Sequence, residues 1–226
     1  MSNIIDEVSG YWKLNGGLSS DGKQLDYSKR GIDGTLTGTE KYSLLGNGKQ
    51  VFDFDGSTSI DIGMPTLAPA TNGITVFGRI KTSTLANDLV CKGQGAGTDS
   101  TFVLNTSVNG KMRVYGYNAT GNLRGESSGT VGPLLADGLE HDFMAVYDSD
   151  TFEWRMYADG DLQYTIVYRL DTSIIDGKSY LIGKREGLVN EMTGNLWDVA
   201  IWPRALTTTE YKHVRQLTQP QSYSPK

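Results

Sequence analysis

The chain has 226 residues, with 21 Lys and Arg against 26 Asp and Glu, and its formal net charge of −5 disfavours non-specific binding to nucleic acid or anionic membranes. It contains no apolar run near the roughly 18 residues of a membrane-spanning helix, and it does not begin with the basic and apolar segments of a signal peptide. Its single cysteine, Cys91, excludes an internal disulfide, and its 28 glycines fit a protein with many tight turns.

Alternating side chains along three segments predict strands that bury one face and expose the other. Residues 74–81 divide into one face with Ile74, Val76, Gly78 and Ile80 and another with Thr75, Phe77, Arg79 and Lys81. Residues 111–117 and 153–158 alternate in the same way. The aliphatic neighbours of Cys91 indicate a further strand, so we expect a buried structural thiol and not a nucleophile.

Turn signals recur at intervals of roughly ten residues along the chain. They include Gly46-Asn47-Gly48, Asp55-Gly56, Asn72-Gly73, Asn109-Gly110, Asp137-Gly138, Asp159-Gly160 and Asp176-Gly177. Asn-Gly and Asp-Gly pairs readily adopt the positive φ that two-residue hairpins need. This spacing predicts many short antiparallel strands.

The C-terminal part predicts a long strand followed by one short helix. Residues 196–202 are rich in aliphatic and aromatic side chains, and Pro203 ends the strand because it cannot donate to a ladder. Thr207 and Glu210 have the spacing of a capping box, which predicts a helix of about two or three turns. Beyond it, residues 219–226 form an extended polar tail.

The order of these motifs resembles the laminin-G-like jelly rolls of the concanavalin A-like lectin/glucanase superfamily. The matching segments are residues 10–14, 26–28, 33–36, 54–56, 59–63, 74–77, 141–148, 157–160 and 194–210. The resemblance implies an all-β fold, a two-sheet antiparallel jelly-roll sandwich with one short C-terminal helix. It also implies that the strand of Trp12 lies near the C-terminal strand, and that residues 1–226 form a single domain.

Because the superfamily includes glucanases, hydrolysis is the first activity to consider. Retaining enzymes of this fold place two Glu and an Asp on one strand face, where acid and nucleophile flank a sugar bond. The pattern is Glu-x-Asp-x-Glu, or the same with one extra spacer. No two glutamates of this chain share a predicted strand at that spacing, and Glu140 with Asp142 is the nearest approach. His141 and His213 lack a partnered nucleophile motif. We therefore expect no catalytic residues and no enzymatic activity.

The resemblance also raises the question of calcium, which many relatives bind through loop oxygens. Asp26, Asp33 and Asp198 lie in regions that could supply such ligands. Trp197, however, replaces an aspartate of the family pattern, and Lys29-Arg30 adds positive charge to the loop. We expect no bound metal and no cofactor, with calcium as the alternative.

Glycan binding needs aromatic rings beside amide and charged hydrogen-bonding groups. The best cluster in the chain consists of Arg113, Tyr115, Tyr117, Asn118 and Asn122. The alternative is a solvated strand face with two amphipathic tyrosines.

These features favour a non-enzymatic surface protein of a bacteriophage virion, either a capsid decoration or a tail or fibre attachment module, with host glycans as its ligands. The expected partners are other virion proteins, in a multi-copy or homo-oligomeric assembly that involves no nucleic acid and no membrane insertion. The expected location is the virion, assembled in the host cytoplasm, because the chain begins at Met1 without a signal peptide and resembles stand-alone phage copies. The alternative is a carbohydrate-binding module of a bacterial protein, followed by a glycoside hydrolase.

Overall fold

The computed structural model describes residues 4–64, 67, 73–93, 100–117, 122–126, 128–170, 178–185 and 191–218. A 3-10 turn at Ile4–Glu7 precedes the first strand. The strands are β1 Gly10–Trp12, β2 Lys23–Gln24, β3 Gly34–Thr37, β4 Tyr42–Leu44, β5 Gln50–Asp55, β6 Ser59–Asp61, β7 Ile74–Lys81, β8 Asp88–Gly93, β9 Ser100–Thr106, β10 Met112–Tyr117, β11 Leu123–Glu126, β12 Glu140–Asp148, β13 Glu153–Ala158, β14 Asp161–Val167, β15 Tyr180–Ile182 and β16 Thr193–Trp202. One helix, α1, spans Thr208–Thr218.

The described strands form two antiparallel sheets. The first sheet has the order β14-β13-β12-β7-β16-β5-β4, and β1 also pairs with β16. The second sheet has the order β11-β10-β9-β8-β15-β6-β3-β2. This architecture confirms the predicted all-β, two-sheet sandwich with one short C-terminal helix.

β16 organises the first sheet because it pairs with three other strands. Gly10 lies opposite Ile201 and Trp12 opposite Val199, which confirms the predicted proximity of the first and last strands. A bulge between Trp197 and Ala200 interrupts the pairing of β16 with β7, and Asp198 within it adopts a φ of 53°. The bulge redirects the Asp198 side chain, as such irregularities commonly do.

The core between the sheets is rich in aromatic side chains. Trp12, Phe52 and Trp154 are fully buried there, and Phe102 stacks on Trp154 with ring centroids 6.4 Å apart. Each of these large side chains removes apolar area from water, and together they contribute a large share of the favourable free energy of folding. Cys91 is buried as predicted, and burial raises the pKa of its thiol well above the ordinary value, so the nucleophilic thiolate is disfavoured.

Helix α1 covers the outer face of the first sheet, the face directed away from the core. A second apolar cluster fills this interface and includes Val8, Phe77, Met144, Tyr157, Trp202, Leu206, Tyr211 and Val214. The expectation of a solvated second face is therefore wrong at Phe77 in residues 74–81 and at Tyr157 in residues 153–158, because both side chains are fully buried. The helix itself starts with the predicted capping box, in which the Thr207 backbone N–H donates to Glu210 and the Glu210 backbone N–H donates to the Thr207 hydroxyl.

Candidate functional site

Helix α1 covers much of the outer face of the first sheet. Among the described residues, no α-helix covers the outer face of the second sheet, which leaves that face available for a site. Arg113, Tyr115 and Tyr117 alternate along β10 and point to this face, while Met112 and Val114 point into the core. Tyr115 lies opposite Val103 on β9, which lies opposite Cys91 on β8. The strand register thus places the three predicted β10 residues on one face of the second sheet with side chains of β9 and β8.

Four side chains of this face form a continuous polar network, made of Asp88, Asn105, Arg113 and Arg185. The Arg113 Nε donates to Asn105 Oδ1 at 2.9 Å, and the Asn105 amide donates to Asp88 Oδ1 at 3.0 Å. Arg185 completes the network with its Nε 3.5 Å from Asp88 Oδ2. Its Nη1 also donates to the Tyr115 hydroxyl at 3.0 Å. The network links three strands and the loop after β15.

Burial dominates the electrostatics of this network. Asp88 is fully buried, and desolvation raises the pKa of its carboxyl group, although Arg185 and the Asn105 amide partly offset that effect. Burial likewise raises the pKa of the Tyr115 phenol, so its hydroxyl stays neutral. Arg185 is 5% exposed and holds its charge beside Asp88. These groups can orient the more exposed Arg113, but they are not themselves open to a ligand.

The predicted glycan-binding residues occupy different depths. Arg113 and Tyr117 are partly exposed, and Asn122 is exposed at the start of β11. Tyr115 is only 4% exposed and packs against Tyr117 in an edge-to-face contact at 6.0 Å, so it supports the surface from below. Asn118 lies outside the described residues. The binding role of this set stays a prediction.

Sequence reasoning missed Asp88, Asn105 and Arg185. Asp88 and Asn105 lie opposite each other in the pairing of β8 with β9, beside a bulge between Asp88 and Val90. That register cannot be read from either strand alone. Arg185 follows β15 in a connecting segment, where no periodicity marks it. The chemical signal that could have found Asp88 and Asn105 is the presence of polar residues inside otherwise apolar strands.

The three aspartates of the calcium alternative have protein partners, and Asp33 Oδ1 accepts a hydrogen bond from the Asp26 backbone N–H at 2.8 Å. Both oxygens of Asp26 accept hydrogen bonds, including those from the Tyr11 and Ile32 backbone N–H groups at 2.8 Å. Asp198 pairs with the Lys49 ammonium at 2.8 Å and lies 3.6 Å from the Arg79 Nε. Within the described part of the chain, no group of three or more His, Cys, Asp or Glu side chains is arranged to hold a metal. These aspartates do not fit a calcium site.

Calcium addition and EDTA treatment are both expected to leave the melting temperature unchanged. A ligand that binds only the folded state raises this temperature by mass action, and Asp26 and Asp198 already have protein partners. Differential scanning fluorimetry with magnesium as the control checks this expectation. A calcium-specific increase that Asp33→Asn removes would contradict it.

Asp142 and His141, two of the nearest candidates for catalysis, have structural partners. Asp142 is 6% exposed and accepts hydrogen bonds from the Tyr211 hydroxyl and from Arg215 Nε at 2.6 Å, which ties β12 to α1. His141 lies between Asp159 at 2.8 Å and Asp137 at 3.0 Å. Burial lowers the pKa of His141, but the two carboxylates outweigh that effect and raise it above the ordinary value. Glu140 and Asp142 therefore do not form a free carboxylate pair.

No helix among the described residues has the length and apolar character that crossing a membrane requires.

Comparison with solved structures identifies the same architecture in other proteins. Domain 4 of an extracellular arabinanase from Geobacillus stearothermophilus, in complex with arabinotriose, superposes with a TM-score of 0.63 at 16% identity, over 94% of this chain and 98% of that one. The binding domain of Paraclostridial Mosquitocidal Protein 1 gives 0.66 at 13% identity, over 96% of this chain and 52% of that one.

The receptor binding domain of botulinum neurotoxin mosaic serotype C/D gives a TM-score of 0.64 at 13% identity, over 95% of this chain and 51% of that one. The chain thus spans about half the length of the two toxin binding domains. At these identities the likeness concerns the fold. A search of curated protein sequences finds no match. Residues 54–210 match the Laminin_G_3 family, and the chain therefore belongs to the Concanavalin A-like lectin/glucanases superfamily.

Proposed function

We propose that this protein is a non-catalytic glycan-binding domain that uses the outer face of its second sheet. The observation that carries this proposal is the polar network of Asp88, Asn105, Arg113 and Arg185, which lies beside Tyr115 and Tyr117. The network holds the partly exposed Arg113 guanidinium on the same face as the partly exposed Tyr117 ring, with the buried Tyr115 ring between them. This pairing suits a sugar, whose hydroxyl groups need hydrogen-bond partners and whose ring needs an apolar surface.

The comparisons support this class of ligand. One neighbour of the same fold is described in complex with arabinotriose, and others are receptor binding domains. The non-catalytic part of the proposal is supported by Asp142, which shares a strand face with Glu140 but is held by Tyr211 and Arg215 and so is not a free carboxylate. A glycosidase of the retaining type needs two such carboxyl groups at a sugar bond.

Arg113→Ala and Tyr117→Ala are each expected to weaken oligosaccharide binding about tenfold or more, because a hydrogen bond to a charged group or a ring contact contributes roughly 1–3 kcal/mol. Isothermal titration calorimetry with arabinotriose, and with whichever oligosaccharides bind on a glycan array, measures the effect. Tyr168→Ala is the matched control, since Tyr168 is 44% exposed and follows β14 of the first sheet. Failure of every arrayed glycan to bind, or unchanged affinity in both variants, would contradict the proposal.

The location that we propose for this domain is the surface of a bacteriophage particle, where many copies would act together. Avidity would then raise the overall affinity for glycans about 10²–10⁴-fold above that of one weak contact, without any new contact. The polar residues 219–226 are the proposed anchor to a capsid or tail partner, although they lie outside the described residues. A carbohydrate-binding module of a bacterial protein is the alternative setting.

Deletion of residues 219–226 is expected to reduce attachment to particles while leaving the melting temperature nearly unchanged, because short polar segments contribute little to a folded core. Co-sedimentation of the tagged protein with purified particles measures attachment, and a variant with the eight residues scrambled is the control. Full loading of the truncated protein, or no association of the complete protein with any particle, would defeat the anchoring proposal.

A further inference from the structure

A second polar surface crosses the first sheet beyond the end of helix α1. Lys81 on β7 lies opposite Glu140 on β12 and opposite Asn195 on β16, and Asn195 lies opposite Asp53 on β5. Residues that face each other across strands share one side of a sheet, so these four side chains form a polar row. They share the outer face with Arg79, whose Nη2 donates to the Arg215 carbonyl near the helix end. The row therefore begins where the helix cover stops.

A cavity of about 310 Å³ opens beside the polar row. Its walls include Asp53, Lys81 and Asn195, together with the hydroxyl-bearing residues Ser83 and Thr84. A volume of this size lies at the lower end of small-molecule sites and suits one sugar unit. The cavity lies on the opposite sheet from the polar network of Asp88, and the two surfaces share no residue.

Buried hydrogen bonds hold the wall of this cavity in place. Asn87 is 1% exposed, and its amide donates to Thr82 Oγ1 at 3.1 Å and to the Thr84 carbonyl at 2.9 Å. Its Oδ1 accepts from the Thr193 backbone N–H at 3.0 Å. Gly194 adopts a φ of 120°, and a Cβ there would lie 2.8 Å from the Lys81 carbonyl oxygen. A wall fixed in this way loses little conformational freedom when a ligand binds.

Several polar groups of the wall are available to a ligand. In the described part of the chain, neither the Lys81 ammonium nor the Ser83 and Thr84 hydroxyl groups have a hydrogen-bond or ion-pair partner. Asp53 pairs with Lys41 at 3.0 Å, so the carboxylate and the Lys81 ammonium bring opposite charges to the site. Balanced charge with several donors and acceptors favours a neutral, hydroxyl-rich ligand over an ion.

We propose that this cavity is a second sugar-binding site, which takes one unit of a neutral saccharide through hydrogen bonds with Lys81, Ser83, Thr84 and the side-chain oxygen of Asn195, whose amide nitrogen donates to Phe52 and Asp53. Such a site contacts the edge of the sugar ring and not its face, because the side chains of the polar row and of Ser83 and Thr84 are not aromatic. The site stands independently of the proposed site on the second sheet. With both sites present, one copy of the domain would bridge two points of one glycan or two separate glycan chains.

The test is a titration of ¹⁵N-labelled protein with three neutral methyl glycosides, those of glucose, galactose and arabinose, up to about 50 mM, a range in which weak single-sugar sites fill. Chemical shift changes are expected at residues 81–84 and 193–195, and glucuronate and glucosamine should produce smaller ones. The double variant Lys81→Met/Thr84→Val is expected to bind at least about fivefold more weakly, with Thr37→Val on the exposed edge of β3 as the control.

The Arg113→Ala protein separates this proposal from the proposed function. Persistence of the shifts at residues 81–84 in that variant supports an independent second site, whatever happens at the second sheet. Absence of these shifts with all three neutral glycosides, or their loss in Arg113→Ala, would overturn the proposal. A stronger response to glucuronate or glucosamine would also overturn it, because it would show that the site selects charge.

Discussion

Replacing Arg185 with methionine is expected to lower the free energy of unfolding by about 3–5 kcal/mol at neutral pH, the range for removing one partner of a buried ion pair. Asp88 is fully buried, and the Arg185 guanidinium is its nearest counter-charge, with Nε 3.5 Å from Oδ2. Methionine keeps the apolar stem but leaves the carboxylate without that partner. Chemical denaturation with urea measures the loss.

The size of this loss should depend on pH. Burial already raises the pKa of Asp88 in the folded protein, and removing Arg185 raises it further. A raised carboxyl pKa means that the folded state binds the proton more tightly, so stability is highest below the ordinary pKa of an aspartate and falls as pH rises through the folded value. The deficit of Arg185→Met should therefore shrink as pH falls from 7 towards about 4.

The double variant Arg185→Met/Asp88→Asn is the matched control, since it removes both charges. It should be more stable than Arg185→Met at pH 7. Its difference in unfolding free energy from the parent protein should not show the pH dependence expected of Arg185→Met. A single variant that is as stable as the parent, or a deficit that grows on acidification, would contradict this account of the polar network.

Replacing Trp202 with alanine is expected to cost about 3–5 kcal/mol of unfolding free energy, the usual range for a large aromatic side chain removed from a core. Trp202 is fully buried between the first sheet and helix α1, in the cluster with Phe77 and Tyr211. Its indole Nε1 also donates to the Ile4 carbonyl at 2.9 Å, which fixes the N-terminal turn. Amide hydrogen exchange should show the loss concentrated in α1 and the Ile4–Glu7 turn.

Trp202→Phe distinguishes the two contributions. It keeps most of the apolar volume but removes the indole N–H, so it should cost roughly 1–3 kcal/mol, the penalty for one unpaired buried carbonyl. Equal losses of unfolding free energy in Trp202→Ala and Trp202→Phe would show that the apolar volume of the side chain contributes little to stability. Unchanged exchange in α1 would show that the helix does not depend on this contact.

Local features such as the capping box of Thr207 and Glu210 and the Asp159-Gly160 turn could be predicted because each depends on neighbouring residues alone. The two-sheet sandwich was implied by the resemblance of the ordered motifs to the laminin-G-like jelly rolls. The burial of Phe77 could not be predicted in this way, because alternation along a strand shows which residues share a face and not what covers it. Covering by α1 is a tertiary effect.

The candidate site shows the same limit. Arg113 and Tyr117 were found because their spacing on one strand displays them together. Asp88 and Arg185 come from separate parts of the chain, and only the pairing of β8 with β9 and with β15 brings them to Arg113. The depth of Tyr115 likewise depends on Cys91 and Val103 beside it, which makes it a support beneath the surface.

The most direct test of glycan binding on the second sheet is a crystal structure of the protein with the tightest-binding oligosaccharide from the array. We predict that the sugar contacts the Arg113 guanidinium and the Tyr117 ring, with Asp88 and Arg185 paired beneath them as in the free protein. A well-ordered oligosaccharide that makes no contact with the outer face of the second sheet would contradict this account.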